Sequence, residues 1–242
     1  WEDQPTSPET RSSISYIFSE LGTIAWRQGD HEHARVLLNT GFAIARDQED
    51  TLNMSTALRT LGGIAFVESD YDNARTQFEH ALTLMRELDN QSEILKYQSN
   101  LGAIALMLRD YDDAAKRFEE SLHIAEAIGA KEQIAGLLVN LGVTFSERQD
   151  YANAKPLYER GLTLYRDMGN PLGAADALLS LGVIAVAEDN LDEAEQLYYE
   201  SLQLSSNHKD RIVIVTFNLA VVLEKRADFA GSGRYFAESL RV

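Results

Sequence analysis

Small and large apolar residues return along this chain at a fixed interval. Leucine followed by glycine stands at Leu21-Gly22, Leu61-Gly62, Leu101-Gly102, Leu141-Gly142 and Leu181-Gly182, a period of 40 residues without slippage. Such self-similarity is the signature of a repeat architecture. Ten residues beyond each leucine a new segment starts, at Asp30-His31, Asp70-Tyr71, Asp110-Tyr111, Asp150-Tyr151 and Asn190-Leu191. Alanine follows at Ala34, Ala74, Ala114, Ala154 and Ala194, and a large residue four positions later at Leu38, Phe78, Phe118, Tyr158 and Tyr198. A sixth unit (Asn218-Leu219-Ala220, Asp228-Phe229, Ser232, Phe236) fits once the spacing is shortened to 38.

Each column has a physical reason. The glycine lets a second helix approach closely, the aspartate accepts the free amide hydrogens of that helix as its N-cap, and the alanine marks the crossing. The unit is therefore helix, short turn, helix. Between units, Asp47-Gln48-Glu49-Asp50, Leu88-Asp89-Asn90, Ile128-Gly129-Ala130 and Gly169-Asn170-Pro171 stop one helix and cap the next, with Pro171 suited to a first turn. Thr6-Ser7-Pro8-Glu9 reads as a capping box at the first helix. Ile212-Val213-Ile214-Val215 is β-branched and locally strand-like, but the register assigns it to the first helix of unit six. Pro156 falls early in the second helix of unit four, harmless in a first turn and kinking beyond it. The expectation is one all-α domain over 1–242, with units at about 8–46, 51–87, 91–127, 131–167, 171–206 and 210–242, the last truncated. The start at Trp1 and the stop inside unit six suggest an excised fragment whose ends could self-associate.

Composition narrows the function. With 45% apolar and 25% charged residues the chain can bury a core, and 15 glycines with 4 prolines leave little punctuation for a many-turned β fold. The absence of cysteine removes disulfides, thiolate metal sites and cysteine nucleophiles, and suits a cytoplasmic setting. The longest apolar run, Ile212 to Leu223, is too short to span a bilayer. A net charge of −16 argues against nucleic acid, whose phosphates demand a basic face.

The Leu-Gly, Asp, Ala and large-residue columns resemble the tetratricopeptide repeat family over nearly the whole chain. The family's usual tryptophan is missing, and its tyrosine in the first helix is mostly alanine here (Ala25, Ala65, Ala105, Ala185, with Phe145). The longer period is similar to the long-helix repeats beside the ATPase module of bacterial signalling ATPases and LuxR-type regulators, and in some scaffold adaptors. The resemblance implies a right-handed α-solenoid of about six helix-turn-helix repeats.

In such a solenoid the first helices line the concave face. At roughly 100° per residue, positions −5, −2, −1, +2, +5 and +6 from each repeat leucine share one arc, while the leucine points into the stack. On that arc units one to three carry Arg27, Arg59 and Lys96 against Glu20, and units four to six carry Lys225 against Glu147, Asp176 and Glu224. The arc is otherwise apolar for a solvated surface, which usually marks a binding site. The candidate partner-binding residues are Trp26, Arg27, Arg59, Phe66, Lys96, Asn100, Met107, Asn140 and Asn218, the asparagines offering both donor and acceptor to a partner backbone. The leading reading is a non-enzymatic scaffold taking a protein or peptide, with its acidic end near the three basic residues. The alternative is a sensor or autoinhibitory arm of a larger signalling ATPase or transcriptional regulator, with another domain as partner. A bare spacer would instead show an occluded groove, its valines buried as core and its asparagines bridging helices.

No phosphate-binding loop, dinucleotide fingerprint, nucleophile elbow or zincin helix is present in the sequence. His31-Glu32-His33 lacks further ligands, and His80, His123 and His208 share no column. Asp192-Glu193 and Glu119-Glu120 read as a solvated face. No enzyme, cofactor, metal, nucleic acid or membrane is expected.

Overall fold

In a computed structural model, residues 8–205 and 208–239 are described, and all twelve elements among them are helices. Thr6, which would complete the capping box, and the end at Val242 lie outside them. The helices are α1 (Pro8–Arg27), α2 (His31–Asp47), α3 (Thr51–Val67), α4 (Tyr71–Glu87), α5 (Gln91–Met107), α6 (Tyr111–Ile128), α7 (Lys131–Glu147), α8 (Tyr151–Asp167), α9 (Pro171–Ala187), α10 (Leu191–Leu204), α11 (Lys209–Lys225) and α12 (Phe229–Ser239). They pack as two compact units, Trp1–Ile124 and Ala125–Val242, with the division inside α6. In the first unit α1 packs on α2 and α3, and α4 on α3 and α5. In the second, α7 through α12 pack each on the next, and α7 also meets α9.

The strand-like segment at Ile212 lies inside α11, where tertiary packing outweighs β-branched propensity. Pro156 is the sixth residue of α8, beyond the first turn, and α8 continues past it to Asp167. Its exposed position puts the orphaned carbonyl of that turn within reach of water.

The side chains of Asp30, Asp70, Asp110, Asp150 and Asn190 each accept the amide three residues on, at 3.1 to 3.4 Å. Asp50, Asn90 and Asn170 do the same between units. Before these caps the chain turns through a left-handed residue at a regular spacing: Gly29, Glu49, Ser69, Asp89, Arg109, Gly129, Gln149, Gly169 and Asp189 all have positive φ. The turn between α3 and α4 shows why. Asp70 N–H reaches the Ala65 carbonyl at 2.9 Å and Ser69 N–H reaches Phe66 at 3.0 Å, the paired bonds that satisfy a helix C-terminus only when the intervening residue is left-handed. Eight of the twelve described helices are seventeen residues long, and with a turn of three such a helix fills half a period.

The five column alanines are fully buried, and Phe118, Tyr158 and Tyr198 are almost so. Each large side chain lies on the bare backbone of the Leu-Gly glycine. A Cβ on Gly102 would stand 2.8 Å from Phe118 Cε1, and on Gly182 2.3 Å from Tyr198 Cε1. The repeat leucine enters the core at Leu101, Leu141, Leu181 and Leu219, but Leu21 is 46% exposed, because no described helix covers that side of α1. Buried polar groups add to this packing, Tyr97 and Ser55 between successive pairs and Ser121 and Ser201 within a pair. Tyr97 Oη and Ser55 Oγ lie 2.7 Å apart, and the hydroxyls of Ser121 and Ser201 donate to the carbonyls of Leu95 and Ala175.

Three consequences are testable by thermal and denaturant unfolding. Arg109→Gly plus Gln149→Gly, removing two left-handed side-chain clashes of about 1–2 kcal/mol each against a smaller entropic cost, should raise stability by roughly 1–2 kcal/mol in total. Gly182→Ala, which would stabilise an exposed helix, should instead cost about 1–3 kcal/mol through overpacking on Tyr198. Burial pushes the hydroxyls of Tyr97, Tyr158 and Tyr198 above their ordinary value of 10.0. Unfolding must therefore release protons above pH 10, so stability is intact below that pH and falls as pH rises through the folded values. Absorbance of tyrosinate should show these three ionising only together with loss of helix.

Candidate functional site

The odd-numbered helices α1, α3 and α5 bring five of the nine sequence-derived candidates together in the first unit. Trp26 from α1, Arg59 and Phe66 from α3, and Lys96 and Asn100 from α5 line one open hollow of about 420 Å³. Its floor is aromatic: Trp26, Phe66 and, from α4, Phe78. Trp26 is half-buried against Gly63, where a Cβ would stand 3.1 Å from Trp26 Cη2. Phe66 is fixed edge-on against Tyr71, ring centroids 5.6 Å apart. Thr23 and Thr60 share a 3.2 Å hydrogen bond that joins α1 to α3 beside the hollow.

The rim is polar and only partly committed. Lys96 Nζ donates to Glu93 Oε1 at 2.6 Å. Arg59 is exposed and makes no hydrogen bond or ion pair among the described residues, and the half-buried Asn100 amide likewise has no protein partner there. Arg59 and Lys96 also border a second hollow of about 380 Å³, whose lining of Tyr16, Leu52, Asn53, Ser55, Thr56, Asn90 and Glu93 is more polar. They therefore stand between an aromatic pocket and a polar one that includes the Glu93 carboxylate.

The remaining candidates lie elsewhere. Arg27 ends α1, exposed and outside the lining, and Met107 ends α5 at 50% exposure, also outside it. Asn140 is half-buried on α7 and Asn218 half-buried on α11, both in the second unit. Asn218 turns one amide hydrogen to the Ile214 carbonyl one turn back at 2.9 Å, engaging one of its two donors. Two residues of the predicted arc, Ser19 and Thr60, are buried instead of facing solvent, Ser19 against Gly41 of α2 and Thr60 against Thr23 of α1. In the second unit α9 and α11 carry exposed Val183, Ile214 and Phe217, and Arg211 holds Asp176 through two 2.7 Å bonds. Phe78 is the lining residue that sequence reasoning missed. It belongs to the packing column of the second helices, and only its place beneath Gly62 and Phe66 brings its edge to the pocket.

Beside the site, His31, the first residue of α2, lies 2.9 Å from Glu68 Oε1, and Arg35 bonds the same carboxylate. The Arg35 guanidinium and the His31 ring hold Glu68 below the usual carboxylate range. The acid that follows Val67 is thus engaged by α2. No helix among the described residues is long and apolar enough to cross a membrane.

Tetratricopeptide repeat models match residues 13–87, 53–127, 93–167 and 133–207. No match is found among curated proteins by sequence. Solved structures share the fold at low identity. The chain is similar to a signal transduction ATPase with numerous domains and a tetratricopeptide repeat sensor from Pyrococcus horikoshii, at a TM-score of 0.84 and 17% identity. That alignment covers 98% of this chain and 37% of that one. It is similar to BtubC from P. vanneervenii at a TM-score of 0.69 and 18% identity, over 98% and 91% of the two chains. Aspartyl phosphate phosphatase F from Bacillus subtilis aligns at a TM-score of 0.74 and 12% identity, over 97% and 70%. The matched repeats, the twelve paired helices and the glycine–ring contacts together make this chain a member of the tetratricopeptide repeat family.

Proposed function

We propose that the chain is a non-enzymatic scaffold that binds a protein or peptide segment on the face of its odd-numbered helices, with the α1–α3–α5 hollow as the anchoring point. The observation that carries this reading is an aromatic floor left open to solvent beside a guanidinium with no partner in the described chain. Apolar surface of this kind is lost to water unless something covers it, and a buried aromatic contact next to an arginine is the usual composition of an interface hot spot. Repeats of this family serve protein–protein interaction, and the sequence offers no catalytic motif to compete with that role.

A second reading is favoured by one comparison. The Pyrococcus protein carries its repeats as a sensor, and this chain matches 37% of its length. On that reading the same face engages another domain of a longer protein.

A pull-down comparing the wild type with Trp26→Ala plus Arg59→Glu tests the scaffold reading. A protein retained by the wild type and lost by the double variant is expected, with both equally helical by circular dichroism. Identical profiles would discard the hollow as a recognition site. Unfolding should separate site from core: Arg59→Ala should change stability by no more than about 0.5 kcal/mol, whereas Phe118→Ala, fully buried, should cost about 3–5 kcal/mol.

A further inference from the structure

The hollow exists because of three columns that the fold leaves free to vary. Two residues beyond the repeat leucine the first unit has Thr23, Gly63 and Ala103, whereas the second has Val143, Val183 and Val221. Glycine at 63 leaves room for the Trp26 ring, whose Cη2 a Cβ there would approach to 3.1 Å, and Ala103 adds only a methyl group to the lining. Two residues before the leucine, Arg59 stands in a column otherwise made of Ser19, Ser99, Val139, Leu179 and Phe217. Five before it, Lys96 replaces Tyr16, Thr56, Gly136, Asp176 or Ile214. An aromatic pocket and two cations are thereby placed side by side in one unit, inside a chain with 38 acidic and 22 basic side chains.

We infer, resting on the scaffold reading above, that this hollow holds the interior of an extended acidic peptide. One large apolar side chain seats on Trp26, Phe66 and Phe78, and a neighbouring aspartate or glutamate of the peptide pairs with Arg59. Three features select this occupant. Arg59 makes no ion pair among the described residues and the Glu93 carboxylate of the neighbouring hollow is held by Lys96, so a partner's acid meets a free planar fork of donors. Asn100 stands in the lining with both its donor and its acceptor free for peptide backbone. The polar hollow sharing Arg59 and Lys96 continues the track towards Tyr16 and Asn53, so the surface suits a chain and not a single small acid. From Trp26 back to Tyr16 is about 15 Å of helix, the length of some four to five extended residues. A basic or neutral segment would leave the guanidinium unpaired against an apolar neighbour, which disfavours it.

The test uses end-blocked heptapeptides, so that no terminal carboxylate takes part. The central residue is phenylalanine, leucine or alanine, and its two neighbours are both aspartate, both asparagine or both lysine. Trp26 is the reporter in a Trp1→Phe background, since the chain has two tryptophans. Aspartate-flanked phenylalanine and leucine peptides should shift Trp26 emission at concentrations about tenfold lower than the asparagine set. Alanine at the centre should remove binding. Arg59→Glu should reverse the preference towards lysine flanks, a gain that misfolding cannot produce. Gly63→Val, a residue the same column already carries in α7, α9 and α11, should abolish the shift for every peptide. Equal binding of aspartate and lysine peptides through Trp26 would overturn the acidic specificity while leaving the scaffold reading intact. Phenylacetate matching the peptides in affinity would overturn the extended occupant in favour of a small aromatic acid. Silence from every peptide would overturn this inference, and the pull-down would then decide the scaffold reading separately.

Discussion

The closeness with which the two helices of each pair approach governs the rest of this structure. A leucine or aromatic ring from the second helix rests on glycine backbone in the first, at distances where even a methyl group would have to displace it. That contact replaces two side chains by one, so the helices meet over a thin layer and the buried alanine can sit at their crossing. Because the layer is thin, few residues in each pair need to be large. The apolar remainder is released to face outward along the odd-numbered helices.

The turns impose the second constraint. Seventeen-residue helices joined by three-residue turns bring each pair back into the same register, and the turn closes only if its central residue is left-handed. Glycine supplies that conformation at Gly29, Gly129 and Gly169, while glutamate, serine, aspartate, arginine and glutamine are held there elsewhere by the backbone bonds and the following cap. Local strain at Arg109 or Gln149 is thus offset by bonds that satisfy the ends of two helices at once. Ion pairs such as Arg166 with Glu200 and Arg160 with Glu126 lie on the surface and add little to this frame.

The site follows from what the frame does not fix. The columns at the glycine, alanine and cap are committed to packing and turning, so variation accumulates on the exposed arc. Thr23, Gly63 and Ala103 occupy one varying column, and Arg59 and Lys96 two others. A pocket arises where small residues leave Trp26 and Phe66 uncovered, and its charge arises where basic residues stand without enough local acid to neutralise them.

Sequence alone determined the helical class, the pairing of helices, the caps and the alanine and ring columns, because each depends on spacing within some twenty residues and repeats often enough to be seen. The strand-like Ile212 segment was placed in a helix by register alone, against its local propensity. Tertiary structure decided the left-handed turn positions, since no single residue type marks them, and the exposure of Leu21, which depends on what packs beside α1 and not on the leucine itself. It also sorted the candidate residues. Trp26, Arg59, Phe66, Lys96 and Asn100 converge because three helices carry them to one face, while Asn218 gives one amide hydrogen to its own helix and Phe78 reaches the pocket from a column that sequence assigns to the core. Periodicity fixes which side of a helix a residue occupies. Whether that side is open, paired or filled depends on side chains from other helices, and only the packed chain brings those together.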